Sequence, residues 1–102
     1  MNKNLLRQAQ QLQARLLKAQ QELPNLTAEA TAGGGAIAVV ASGDQRIRSI
    51  KIQKDVVSAD DVEMLEDLVL AAVNDALEKS KEAASKHMSA ITGGLGLPPG
   101  LV

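Results

Sequence analysis

The chain has 102 residues, 45% of them hydrophobic, with no cysteine, no aromatic residue and a formal net charge of −1. That length supports one domain, spanning 1–102, with one modest core, and the missing cysteines exclude disulfide and thiolate chemistry. Without Phe, Tyr or Trp, the buried area comes from Leu, Ile, Val and Ala alone; a monomer so built is marginal, and self-association is expected from composition.

The opening residues Met1–Arg7 turn polar after two leucines, too short an apolar run for a signal peptide. From about Asn2 to Leu23 a helix is predicted. Leu5, Ala9, Leu12, Leu16, Ala19 and Leu23 recur at alternating spacings of four and three, the seam of an amphipathic helix, and Pro24 stops it. Lys3, Arg7, Arg15 and Lys18 fall opposite that seam, against a single acid, Glu22.

The period then changes. Leu26–Ala32, Ala36–Ala41 and Arg46–Gln53 are short alternating or β-branched runs, separated by Gly33-Gly34-Gly35 and Ser42-Gly43-Asp44. Turn chemistry between short strands predicts a three-stranded antiparallel meander over 26–54, with Ile50 and Ile52 on one face. Such a sheet needs a helical layer to cover it.

Ser58-Ala59-Asp60-Asp61 has capping-box spacing and opens a second helix, about Ala59 to Ile91, with acids in its first turn where the dipole favours them. Leu65, Leu68, Val69, Ala72, Val73, Ala76 and Leu77 form its apolar face, and beyond them the pattern thins. Every charge from Val56 to Glu78 is negative, after which Lys79, Lys81 and Lys86 outnumber Glu82. Thr92-Gly93-Gly94 is read as the stop, and Leu97-Pro98-Pro99-Gly100 as part of an extended tail over 93–102. No run approaches the roughly 20 apolar residues of a membrane span, so a cytoplasmic protein is expected. A helix of the predicted length runs to about 50 Å, against a radius of gyration near ~13 Å for a domain of this size. Its second half therefore projects or pairs. The expected fold is α+β, α-β-β-β-α in two layers, with long projecting helices and a dimeric assembly.

Several stretches resemble proteins of the YbaB/EbfC family. They are Leu6-Arg7-Gln8-Ala9-Gln10-Gln11-Leu12-Gln13, Ile50-Lys51-Ile52 with Asp55-Val56-Val57, the run from Asp61 to Ala76, and the Leu97-Pro98-Pro99-Gly100 ending. The resemblance covers nearly the whole chain in order. It implies a tweezers-shaped homodimer that binds double-stranded DNA with little sequence preference, in the nucleoid, and takes part in chromosome organisation and gene regulation. The chain departs from the pattern in starting without the glycine-rich leader of many members and in ending two residues after Pro-Pro-Gly. DNA contacts made by such extensions are not carried over.

DNA binding requires cations aligned with phosphates. Lys3, Arg7, Arg15 and Lys18 on the first helix, with Lys79, Lys81 and Lys86 on the second, are the candidates. Arg46, Arg48, Lys51 and Lys54 are secondary, with sheet-edge protection as their alternative role. The missing aromatics argue against single-strand recognition by base stacking. Catalysis is not expected, because His87 is the only histidine and neither Cys nor Tyr is present. Asp60, Asp61 and Glu63 read as helix-start acids rather than a metal cluster, and the glycine triplet lacks the Lys-Ser/Thr of a phosphate loop. No cofactor, metal, membrane or small-molecule substrate is expected. The competing reading is a coiled-coil-like adaptor that clasps a protein partner.

Overall fold

A computed structural model describes residues 2–93; the expected extended tail, apart from Gly93, lies outside them. Helix α1 (Lys3–Glu22) is followed by strands β1 (Thr27–Ala32), β2 (Ile37–Ser42) and β3 (Arg46–Ile52), then helix α2 (Val62–Gly93). Short 3-10 turns occupy Leu23–Asn25 and Lys54–Val56. The sheet is antiparallel in the order β1-β2-β3, so the chain has the expected α-β-β-β-α architecture.

Helix α1 starts where Asn2 accepts a hydrogen bond from the Asn4 amide at 2.9 Å, and Pro24 forces its last residues into a 3-10 turn. Helix α2 begins later than its capping-box spacing predicts. Ser58–Asp61 closes as a separate turn, with the Asp61 amide donating to the Ser58 carbonyl at 3.2 Å. The Asp61 carboxylate then accepts from the Met64 amide at 3.2 Å, which makes Asp61 the cap and Val62 the first helical residue. At its far end α2 runs through Gly93, two residues past the predicted Ile91.

The β1–β2 turn explains its glycines. Gly33, Gly34 and Gly35 have φ values of 64°, 68° and 94°, a region that costs other L-residues about 1–2 kcal/mol. At Gly33 a Cβ would also stand 3.1 Å from Leu68 Cδ1. Replacing Gly33 with Ala is therefore expected to destabilise the protein by about 1 kcal/mol, because the leucine tip can yield while the backbone strain remains. Urea denaturation followed by circular dichroism measures it; an unchanged midpoint would contradict it.

The core is built from small residues. Ala28, Ala30 and Ala32 of β1 pair with Ala41, Val39 and Ile37 of β2, and α2 lays Ala72 and Ala76 against them. Among the described residues, only Ile37 and Val39 are large hydrophobic side chains buried completely. Alanine against alanine lets the helix settle close to β1 and β2, and it touches β3 only lightly. The isoleucines of β3 are left at the margin. Ile47, Ile50 and Ile52 pair across the sheet with Ala41, Val39 and Ile37, whose side chains point at α2, and directly paired residues share a face. They are nevertheless 36%, 45% and 41% exposed. A register shift opposite Val40/Ala41 leaves Arg48 as an extra residue. That bulge puts Ile47 on the same face as Ile50, three positions away.

The described residues span 70 × 20 × 16 Å with a radius of gyration of 19.2 Å, well beyond the ~13 Å of a compact domain of this size. The second half of α2 runs past the sheet, and α1 packs along it.

Candidate nucleic-acid interface

The base of the α1 arm is a joint between three elements. The Gly43 amide donates to the carbonyls of Leu23 at 3.0 Å and Leu26 at 2.7 Å, fastening the end of α1 to the β2–β3 turn. Gln45 adopts φ 63°, and its side-chain amide donates to the buried Ser80 hydroxyl of α2 at 3.1 Å. Ser80 in turn donates to the Leu77 carbonyl at 2.8 Å. Arg48, turned out of register by the bulge, donates to Ser42 Oγ at 3.0 Å and to the Pro24 carbonyl at 3.5 Å, and lies 3.6 Å from Asp44. Ser42 also donates to the Asp44 carboxylate. That hydrogen bond, aided by Arg48 and Arg46 and opposed by partial desolvation, holds the Asp44 carboxyl below its ordinary value of 3.8.

From this joint α1 extends outward. Ala19 is buried and Leu12, Leu16 and Leu23 are partly buried near the root, whereas every residue from Lys3 to Gln11 is exposed. At about 100° per residue, Lys3, Arg7 and Lys18 fall within a sector of about 60°, and Arg15 stands about 60° beyond Lys18, nearer the seam. The three aligned cations cover about 22 Å of helix, the axial run of about six base pairs. No acid interrupts α1 before Glu22. The helix dipole favours acids at the start of a helix and cations at its end. α1 has no acid in its first turn and no base in its last, so its charges do not serve its own stability.

The other candidates are less concentrated. Lys79 pairs with Asp75 at 3.4 Å. Lys86 lies on roughly the same side of α2 as Lys79, while Lys81 is about 160° around the helix from Lys79, so the three do not form one face. Arg48 is committed to the joint. Arg46, Lys51 and Lys54 are exposed along or just after β3. His87 lies on the part of α2 beyond the sheet, with its Nε2 buried and without a hydrogen-bond partner among the described residues. Gly43, Gln45 and Ser80 were not candidates in the sequence. Ser80 carries a signal that could have found it: a polar residue one turn after Ala76 on the buried face of α2.

The chain matches, over residues 1–95, the family profile described as the YbaB/EbfC DNA-binding family. A protein of Ruminiclostridium cellulolyticum named "Nucleoid-associated protein" is 55% identical over 98 residues, which cover 96% of this chain and 85% of that one. A protein of the same name from Syntrophobacter fumaroxidans is 47% identical, with 96% and 93% covered. The crystal structure of an uncharacterized protein from Helicobacter pylori has a similar fold, with a TM-score of 0.68 at 16% identity, over 84% of this chain and 91% of that one.

Proposed function

The chain belongs to the YbaB/EbfC DNA-binding family, and we propose that it is a nucleoid-associated homodimer that grips double-stranded DNA through the cationic sector of α1. The family is a DNA-binding one and not a family of enzymes. The observation that carries the reading is the line of Lys3, Arg7 and Lys18 on an arm held clear of the sheet, with a cation and no acid in the helix's first turn. Cations in line along phosphates gain affinity by releasing counterions, whatever the bases. A dimer doubles the line and lets two arms flank one duplex. Little sequence preference follows from a surface that reads charge and shape; a place in the nucleoid, with a part in chromosome organisation and gene regulation, is proposed from the family and from relatives named nucleoid-associated proteins.

The test is a salt series. Fluorescence anisotropy of duplexes of unrelated sequence should give log K falling linearly with log salt, by about 0.9 per phosphate neutralised, with similar slopes for each sequence. A duplex that fails to bind even in dilute buffer overturns the reading. The adaptor alternative is favoured by Leu6 and Leu17, which are 49% and 56% exposed on the flank of α1. It predicts no such slope.

A further inference from the structure

We infer that Arg48 is a positioning residue for DNA binding, which fixes the angle at which the α1 arm leaves the sheet without itself touching the duplex. The inference rests on the α1 reading above and names what keeps that arm in line. Between α1 and β1 lie Leu23, Pro24, Asn25 and Leu26. The Gly43 amide donates to the carbonyls of Leu23 and Leu26, and Arg48 Nη2 donates to the Pro24 carbonyl between them at 3.5 Å. Among the described residues, Arg48 is the only side chain hydrogen-bonded to this root.

The rest of the guanidinium is held in place as well. Nε donates to the Ser42 hydroxyl at 3.0 Å, and Nη2 lies 3.6 Å from the Asp44 carboxylate. Ser42 is 0% exposed, and its own proton is directed at Asp44, which leaves its oxygen to accept from Arg48. One planar fork thus meets three residues, a geometry that an ammonium does not reproduce. The turn that carries Asp44 is braced on its other side, where left-handed Gln45 donates to Ser80 of α2 at 3.1 Å. Strained backbone persists only where its surroundings impose it. Arg48 therefore ties α1, and Gln45 ties α2, to one bracket.

Leverage makes this bracket matter for binding. Outward of Leu12, every residue of α1 from Lys3 to Gln11 is exposed, so the line of the outer arm is set at its root. Lys3 stands about 30 Å along the helix from Leu23, and a swing of about 10° at the root carries it about 5 Å. Phosphates of one strand follow one another at about 3.4 Å along the duplex axis. A small displacement at Arg48 therefore moves the far cation off its phosphate while every charge of α1 remains. The charge of Arg48 itself is already answered by Asp44.

The test separates position from charge. Arg48→Lys keeps the charge and loses the fork. It is expected to weaken binding of a random-sequence duplex by about tenfold at fixed salt, the scale on which residues outside a ligand's contacts alter affinity. Arg48→Gln should weaken it no further, whereas a phosphate contact would be largely restored by lysine. Arm position is read without DNA. The chain has no cysteine of its own, so Gln10→Cys on α1 and Ser85→Cys on α2, both exposed, can carry spin labels, with labelled chain diluted into unlabelled. Their distance distribution should widen by about 3 Å in Arg48→Lys, the movement of residue 10 for the same swing; a loss of stability alone would leave it unmoved in the folded protein. Should Arg48→Lys fold poorly, Gln45→Asn suits left-handed backbone and is too short to reach Ser80, and it should widen the same distribution. An Arg48→Lys protein that binds like the parent, or label distances that stay at the parent's, overturns the role of Arg48 and leaves the α1 reading standing. A parent that ignores duplexes overturns the α1 reading and with it the role in binding.

Discussion

Reversing Lys3, Arg7 and Lys18 to glutamate together is expected to abolish duplex binding, lowering affinity by at least about a thousandfold at low salt and flattening the salt dependence. If each of the three side chains neutralises one phosphate in each protomer, a dimer makes about six such contacts, and their removal takes away about five units of the log–log slope. The side chains are exposed, and the ion pairs among the described residues are Arg48–Asp44 and Lys79–Asp75, so the reversals break no contact that holds the fold. Glutamate near the start of α1 suits the helix dipole better than the native cations do, and helicity should hold or rise. Anisotropy titration beside circular dichroism and solution mass reads all three quantities. Binding that persists with a steep salt slope would move the interface to Lys81, Lys86 or the β3 cations.

The second large effect is at Gly43. A Cβ there would stand 2.8 Å from the Leu23 carbonyl oxygen, the atom that accepts the Gly43 amide. That neighbour is backbone and cannot swing away as a leucine tip can. Gly43→Ala should cost about 2 kcal/mol, the middle of the range for overpacking, and lower Tm by about 10 °C for a domain of this size. The clash falls on the joint that fixes the root of α1, so the surviving folded molecules should also bind DNA more weakly although no cation has changed. Thermal melts and anisotropy on one preparation check both. A Tm within a degree or two of the parent would show that the joint tolerates displacement.

The seam from Leu5 to Leu23, the three short runs with their glycine turns and the long helix are legible because each is a local pattern with its own period. The margin between β3 and α2 is not. Alternation alone places Ile47 opposite Ile50, and only the partner strand reveals that Arg48 is an extra residue. That α2 settles over the alanines of β1 rather than the isoleucines of β3 is decided by side-chain volume across the sheet, which no window of the chain contains. The start of α2 is not legible locally, because Ser58 and Asp61 both have cap chemistry, and Ser58 spends its own on the preceding turn through the Asp60 amide. The cations were visible from the outset, and their grouping depended on angle. The sector shared by Lys3, Arg7 and Lys18 follows from helical spacing, whereas the commitment of Arg48 to Ser42, Asp44 and Pro24 needed the fold.

From Val62 to Thr92, α2 contains neither proline nor glycine, and the same rod that seals the core continues past the sheet. It has no place to bend, so tilting its outer half means unseating Ala72 and Ala76. Any difference in the angle between the two helices therefore has to be absorbed in the segment Leu23–Leu26, beside the Gly43 amide that fastens it.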